Sequence, residues 1–532
     1  MFDKFKKASF IKIIFLLLVL GSLGLLLFYL FYCTSYIFHS DMATRLLLAS
    51  EQRRTGELFP SDWCNTTGIL VGLWELILIP FMAMIKDWIL CREIAVLIQL
   101  VLLCACIIWF FKCAGDWKLA SGLCLIFMCF PIGQYEEGVY DASYTAIVTY
   151  SILVNILLIK IMDCREGGKK GLYALLGIVI FLSGYGSMRN YVVIMLPAVL
   201  SVVLYYWIDF KENFVVALKK DRGHITLVVF CAFCMITLFV YRKVSSIYPV
   251  TSVNDIFAFS DQVAEQINQF VNTLFSFYGA SGTLPILSIS GIRICLNFVF
   301  MIMSVFVAPI YFLLSYKKTK NRAVKMFTIY AWVSDFVVVY MMIFSTADTP
   351  RYFTTVYFHN IIFLALFLAH FKDKVRGDIR RIVFAFLCCL VVTNHLSYFS
   401  GTVKGAYKQY QEEKATGSLY EFLAENDLKY GVASYWNAYN NMCKSDGEIT
   451  IVSCLWNEST NELYPEKKYF WGTSKYYFNP ANYPGRSFLL LAEGETVAER
   501  YYELASAVKN FKQYTILIFN QNIYSYDLEN IQ

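Results

Sequence analysis

Apolar runs of about 20 residues, the length that crosses a hydrocarbon core, recur along the first three-quarters of this chain. They begin at 10–32 and return at 92–111, 117–132, 143–162, 171–182, 191–208, 225–241, 292–316, 327–344, 353–371 and 382–396. A bilayer offers no water to an exposed N–H or C=O, so each run must close its backbone hydrogen bonds within itself as a helix. The runs therefore specify a polytopic α-helical membrane protein with about 11 transmembrane helices. Composition agrees, since 58% of the 532 residues are hydrophobic, 16% are charged and the mean hydropathy is +0.51, far from an ordinary soluble domain.

A twelfth run, 68–85, is ambiguous, and positive charge decides how to treat it. Lys4, Lys6 and Lys7 precede the first run and belong in the cytoplasm, which puts the following loop outside. If 68–85 crossed, the basic clusters at 165–170, 219–222, 317–322 and 372–381 would all lie outside. If it lies along the outer leaflet, all of them move to the cytoplasm. Its Trp74, Glu75 and Pro80, with Lys86 just after it, suit such an outer juxtamembrane helix. The loops at 39–67, 134–141, 185–190, 244–290 and 348–352 then share the outer side.

The net charge of +6 is dispersed among those clusters, so no nucleic-acid partner is expected. The 16 cysteines are scattered, and Cys231 and Cys234 form a lone CxxC inside an apolar run. They read as small packing residues. After 397 the composition becomes that of a soluble domain, helical at 418–426 and strand-like at 430–434, 449–454, 488–492 and 514–520. Residues 1–397 thus form the transmembrane part and 398–532 an extracytoplasmic α/β domain, with polar 400–417 as a tether. Cys443 and Cys454 either form a disulfide there or stay unpaired. Trp436, Tyr439, Trp456 and Trp471 either face an acceptor sugar or fill the domain core.

An acid just outside a span is costly and usually has a job. Asp41 can serve as a catalytic base, or it can help cap the helical-looking 43–52. Glu136, Glu137 and Asp141 form a second outer acidic loop, which could position an acceptor, hold a divalent cation through hard oxygen ligands, or simply be solvated. No cofactor is required by the pattern, and the metal is left open. Arg189, Arg351, Lys86, Arg53 and Arg54, with Tyr352 beside Arg351, are the outer residues that could bind a phosphate-bearing substrate. Snorkelling to lipid headgroups is the plainer reading of an arginine at a span's mouth. Walker A, GxGxxG, HExxH and GxSxG patterns are absent, which removes the usual support for nucleotide-driven pumps, dinucleotide enzymes, zincins and serine hydrolases.

The stretches HSDMATRLLLASEQRRTGELFPSDW (39–63), QYEEGVYDASY (134–144) and DTPRYFTTVYFHNIIFLALFLA (348–369) resemble the C superfamily of glycosyltransferases, GT-C. These polytopic enzymes include protein O-mannosyltransferases and the aminoarabinose transferases acting on lipid A. The match is an acid soon after the first span, a juxtamembrane run ending at Lys86, a second outer acidic loop and Arg-Tyr heading a late span. A soluble outer domain completes the match, and YGVASYWNAYNNMCKSDGEITIVSC (430–454) is similar to C-terminal domains of bacterial GT-C-like proteins. The chain has Asp41-Met42 where the protein mannosyltransferases have two adjacent acids, a departure from the protein-mannosylating pattern. The resemblance implies a lipid-phosphosugar-dependent glycosyltransferase in the plasma membrane that moves a sugar from a polyprenyl-phosphate donor to an envelope glycan or lipid. It implies Asp41 as the catalytic acid of the first outer loop and Arg351 with Lys86 near the lipid phosphate. The alternative is a transporter or flippase, for which Asp335, the main acid deep within a run, is the support; the inverted repeats of such proteins are not visible.

Overall fold

The computed structural model describes residues 2–69, 73–115, 117–133, 143–164, 169–248, 250, 262–282, 285–344, 350–372, 374–457 and 459–526, with 2–10, 73–75 and 350 described by backbone alone. Its helices are α1 (Phe2–Ile37), α2 (Ser40–Thr55), α3 (Leu73–Met84), α4 (Trp88–Ala114), α5 (Trp117–Met128), α6 (Ser143–Asp163), α7 (Lys169–Gly184) and α8 (Leu196–Phe210). They continue as α9 (Phe214–Lys220), α10 (Gly223–Ile247), α11 (Val263–Phe277), α12 (Ile289–Ile302), α13 (Ala308–Leu314), α14 (Arg322–Phe344), α15 (Thr354–Phe371) and α16 (Gly377–Tyr398). Among the described residues, nine helical stretches are long and apolar enough to span a membrane. The other two apolar runs form shorter helices, α5 of 12 residues and α7 of 16. The chain is a multi-pass membrane protein.

The helices and strands cluster into two compact units. One comprises 1–30, 96–242 and 253–402; the other comprises 31–95, 243–252 and 403–532. The C-terminal residues thus cluster with the segment that follows α1, a grouping a linear division at 397/398 does not express.

In the first unit, α6, α7, α8 and α14 bury Leu157, Ile161, Ile180, Val202 and Tyr330 against one another. Arg322, opening α14, ties one end of this bundle together. Its guanidinium reaches Asp163 at 2.9 Å, Asp221 at 3.3 Å and the Tyr205 hydroxyl at 3.2 Å. Lys325 pairs with Asp209 at 2.7 Å, and Asn321 donates to the Cys113 carbonyl at 3.1 Å. The ends of α4, α6 and α8 and the α9–α10 turn therefore meet where the basic clusters lie. The opposite end of α6 carries Tyr144, 19 residues from Asp163, or about 29 Å at 1.5 Å per residue. That is close to one hydrocarbon thickness.

In the second unit the strands are β1 (Trp63–Cys64), β2 (Tyr430–Ser434), β3 (Thr450–Asn457), β4 (Glu462–Lys468), β5 (Thr473–Ser474), β6 (Ser487–Leu491), β7 (Thr496–Val497), β8 (Ala507–Phe511) and β9 (Tyr514–Phe519). Seven of them form one mixed sheet in the order β7-β4-β3-β2-β6-β9-β8, while β1 pairs with β5. The centre is parallel, with β2 between β3 and β6. Parallel strands are covered on both faces, and β2 and β6 are buried throughout. This α/β domain matches the strand-like runs read from sequence, which did not include β4, β7 and β8. Cys443 and Cys454 are both free thiols, each donating to a backbone carbonyl, of Ala43 and Ala433 respectively. Residues 400–417 are not a loose tether. The last apolar helix runs on through a π-turn (Phe399–Val403) into a further helix, α17 (Lys404–Thr416), because its Lys, Gln, Glu and Ala residues are good helix formers despite their polarity.

Helix α19 (Tyr435–Lys444), which follows α18 (Leu419–Glu425) and crosses from β2 to β3, is the surface on which the segment after α1 docks. Ser40 Oγ donates to the Tyr435 carbonyl. Glu51, fully buried, accepts from Arg54 at 2.6 and 2.8 Å and from Ser474 at 2.6 Å. At the far end of α19, the backbone N–H of Trp88 donates to Asp446 at 2.9 Å, capping α4. Asp41 thus contacts Tyr435 at the start of α19, and Trp88 contacts Asp446, two residues past its end. Within 68–85 the described helix is α3, of 12 residues, fewer than the about 20 that a helix needs to cross.

Gly447 closes this contact with φ of +76°, and a Cβ there would lie 2.6 Å from the Trp88 ring. Gly447→Val is expected to cost about 1–3 kcal/mol from the left-handed backbone alone, read as a lowered thermal unfolding midpoint of the purified protein.

Candidate active site

Asp41 sits in the first turn of α2, half-buried. It is not the helix cap: the capping position is His39, which makes no side-chain cap bond. The Tyr435 hydroxyl instead donates to Asp41 Oδ1 at 2.5 Å. Burial, and then the Asp41 carboxylate, push the Tyr435 phenol well above its ordinary pKa, so it stays a donor. The carboxylate is thereby held on a helix that is itself clamped to the sheet. Rigid support of this kind is what a catalytic base needs.

Three of the cations singled out from sequence are engaged within the same unit. Lys86 pairs with Glu448 at 2.6 Å on the surface, and this hydrogen bond raises the pKa of Lys86 and lowers that of Glu448. Arg53 donates to the Met82 carbonyl. Arg54 holds Glu51, whose hydrogen bond raises the Arg54 pKa, and lies 3.7 Å above the Tyr476 ring. Arg53 and Arg54 fasten α2 at its C-terminal end. That role depends on Met82, 29 residues beyond Arg53, and on Tyr476, far later in the chain, which no local pattern reveals.

Arg189 is placed differently. It stands between the rings of Tyr144 and Tyr352, 5.0 and 4.9 Å from their centroids. Burial works against its charge, but the two phenols outweigh it and raise its pKa. These three residues line one pocket with Ile147, Val193, Val338, Met341 and Thr355. Arg351 precedes Tyr352 in the short turn (Pro350–Phe353) that opens α15, and it is half-buried. Of the cations proposed from sequence, Arg189 lines this pocket, and Tyr352 belongs to the same cluster.

One turn deeper lies a group the sequence reading saw only in part. Asp335 Oδ1 is 2.7 Å from His359 Nδ1, Nε2 of that ring is 3.1 Å from Ser151 Oγ, and Tyr330 donates to Ser151 at 2.9 Å. Spacing explains the registry. Tyr144, Ile147 and Ser151 on α6 repeat the i, i+3, i+7 stripe of Tyr352, Thr355 and His359, so the pocket and the polar group lie on the same helix faces. A polar network of four side chains buried among apolar helices fixes their mutual register.

Glu136, Glu137 and Asp141 lie outside the described residues. Among the described residues, no group of three or more His, Cys, Asp or Glu side chains could hold a metal ion. Of the C-terminal aromatics, Tyr439 is 1% exposed and bonds Ser453 in the domain core, whereas Trp436 is 40% exposed.

Neither a protein-family model nor a curated protein matches the sequence. Solved structures do. The crystal structure of ArnT from Cupriavidus metallidurans bound to undecaprenyl phosphate is 10% identical with a TM-score of 0.56, covering 95% of this chain and 97% of that one. The apo state of the same protein is 10% identical with a TM-score of 0.55, covering 98% and 99%. At such identity the likeness is one of fold, and it takes in both the helices and the C-terminal domain. The chain has an ArnT-like fold over nearly its whole length.

Proposed function

We propose that this chain is a GT-C glycosyltransferase that takes a sugar from a polyprenyl-phosphate donor and passes it to an envelope glycan or lipid. The observation that carries the reading is the fold, shared over nearly the whole chain with a structure that holds undecaprenyl phosphate. In the proposed reaction Asp41 accepts the proton of the acceptor hydroxyl as its oxygen bonds to the anomeric carbon. The bond from that carbon to the phosphate oxygen breaks, and the electron pair leaves with the lipid phosphate. Arg189, with Arg351, stabilises the phosphate by charge-assisted hydrogen bonding. Glu136, Glu137 and Asp141 would position the acceptor or assist with a divalent ion.

A transporter or flippase has Asp335 as its support. The pairing of that carboxylate with His359 gives it a structural task that needs no cargo.

The reading also places the active face outside the cell, by the positive-inside rule. A cysteine at Glu137, in a background cleared of reactive thiols, is then expected to label from outside in intact cells. Labelling only after permeabilisation would contradict that orientation. The donor class itself is tested by native mass spectrometry of the purified protein with undecaprenyl phosphate. A saturable one-to-one complex supports it, and no complex counts against it.

A further inference from the structure

The strand order of the second unit contains a reversal. From β2 the chain crosses through α19 to β3 on one side, and later returns as β6 on the other. In open α/β sheets, ligands settle outside the carboxyl ends of the strands where the order reverses. Here that crevice is framed by Ser434 to Asn437 after β2 and by Ala492 to Glu495 after β6. Asn437 spans it, donating to Ser434 Oγ at 3.0 Å and to Glu495 Oε1 at 3.1 Å. Glu495 Oε2 also accepts the Ala492 N–H at 2.7 Å. Both amide hydrogens of Asn437 are engaged, so its Oδ1 is the atom with which it would accept from a ligand hydroxyl. Beside it the Trp436 ring is 40% exposed, although its neighbours Tyr435 and Ala438 are buried, and it meets His39 edge-on at 6.1 Å. Tyr435, the preceding residue, is the one that holds Asp41.

We infer that this crevice is an acceptor subsite for a glycan, with Trp436 as the stacking platform and Asn437 with Glu495 as the pair that binds sugar hydroxyls. The inference rests on the glycosyltransferase reading, and it gives the acceptor's class: a sugar ring with an apolar face and vicinal hydroxyls. An aromatic face presents its negative quadrupole to the polarised C–H bonds of such a ring. A carboxylate and an amide oxygen supply acceptors for the hydroxyls. Tyr435, which holds Asp41, immediately precedes Trp436 and Asn437, so the subsite and the proposed base belong to the same end of α19.

The test uses the full chain in lipid nanodiscs and saturation-transfer NMR with maltotriose, cellotriose, chitotriose and mannotriose as probes. At least one trisaccharide is expected to bind, Trp436→Ala to weaken it about tenfold, as loss of an aromatic anchor does, and Trp436→Tyr to keep it. Asn437→Ala is expected to weaken it as well, with unfolding midpoints unchanged for all three variants. Absence of binding by every probe, or binding that Trp436→Ala leaves intact, overturns the subsite. If Trp436 only anchors the chain at the lipid interface, wild type binds no probe, and that result also overturns it. The binding arm contains no donor, and release of sugar from the donor into water needs no acceptor. Failure of the subsite and failure of the glycosyltransferase reading therefore appear in separate measurements.

Discussion

Asp41→Asn is expected to cut sugar transfer by about 100- to 10,000-fold, the usual contribution of a general base, while donor binding stays near wild type. Asparagine keeps the size of the side chain and can still accept the Tyr435 hydrogen bond, so α2 remains docked. What it loses is the ability to take a proton. A merely structural Asp41 would give a different pattern. Its tie to Tyr435 would survive in the amide, and transfer would fall little. Initial rates with saturating donor, beside a donor binding isotherm, separate the two. Tyr435→Phe is the companion variant: it frees the carboxylate without removing it, so transfer should fall far less than in Asp41→Asn.

Arg189→Ala is expected to weaken binding of the lipid phosphate by roughly 10- to 150-fold, corresponding to the 1.5–3 kcal/mol of a hydrogen bond to a charged group. Arg189→Lys should recover only part of this, because an ammonium lacks the planar fork and stacks less well between Tyr144 and Tyr352. If Arg189 merely snorkels, both variants will bind undecaprenyl phosphate like wild type in a titration followed by native mass spectrometry.

How legible all this was in the sequence depends on the distance over which each feature is specified. The spans are local, and their apolar runs become helices with boundaries shifted by a few residues; 171–182 becomes α7, slightly longer than its apolar run. The treatment of 68–85 rests on charge counting along the whole chain, and the one helix described within it is α3, of 12 residues. The helix at 404–416 is hard to see in the sequence because its polar composition resembles that of a linker, although its Lys408 and Glu412 are spaced as a helical pair. The docking of α2 could not be read locally. Glu51 looks like a surface residue of a polar helix, and its burial depends on Ser474, 423 residues later. In the same way Asp335 stood out as an acid in an apolar run, but His359 and Ser151 look unremarked in theirs until helix packing brings them together.

The central claim is that this chain transfers sugar from a lipid phosphate, and it is tested most directly with the purified wild-type protein and a radiolabelled polyprenyl-phosphate sugar. Label is expected to leave the lipid fraction with release of polyprenyl phosphate, in proportion to enzyme, and to stay there with Asp41→Asn. Label that remains on the lipid with folded wild-type protein, or is released equally by Asp41→Asn, would contradict it.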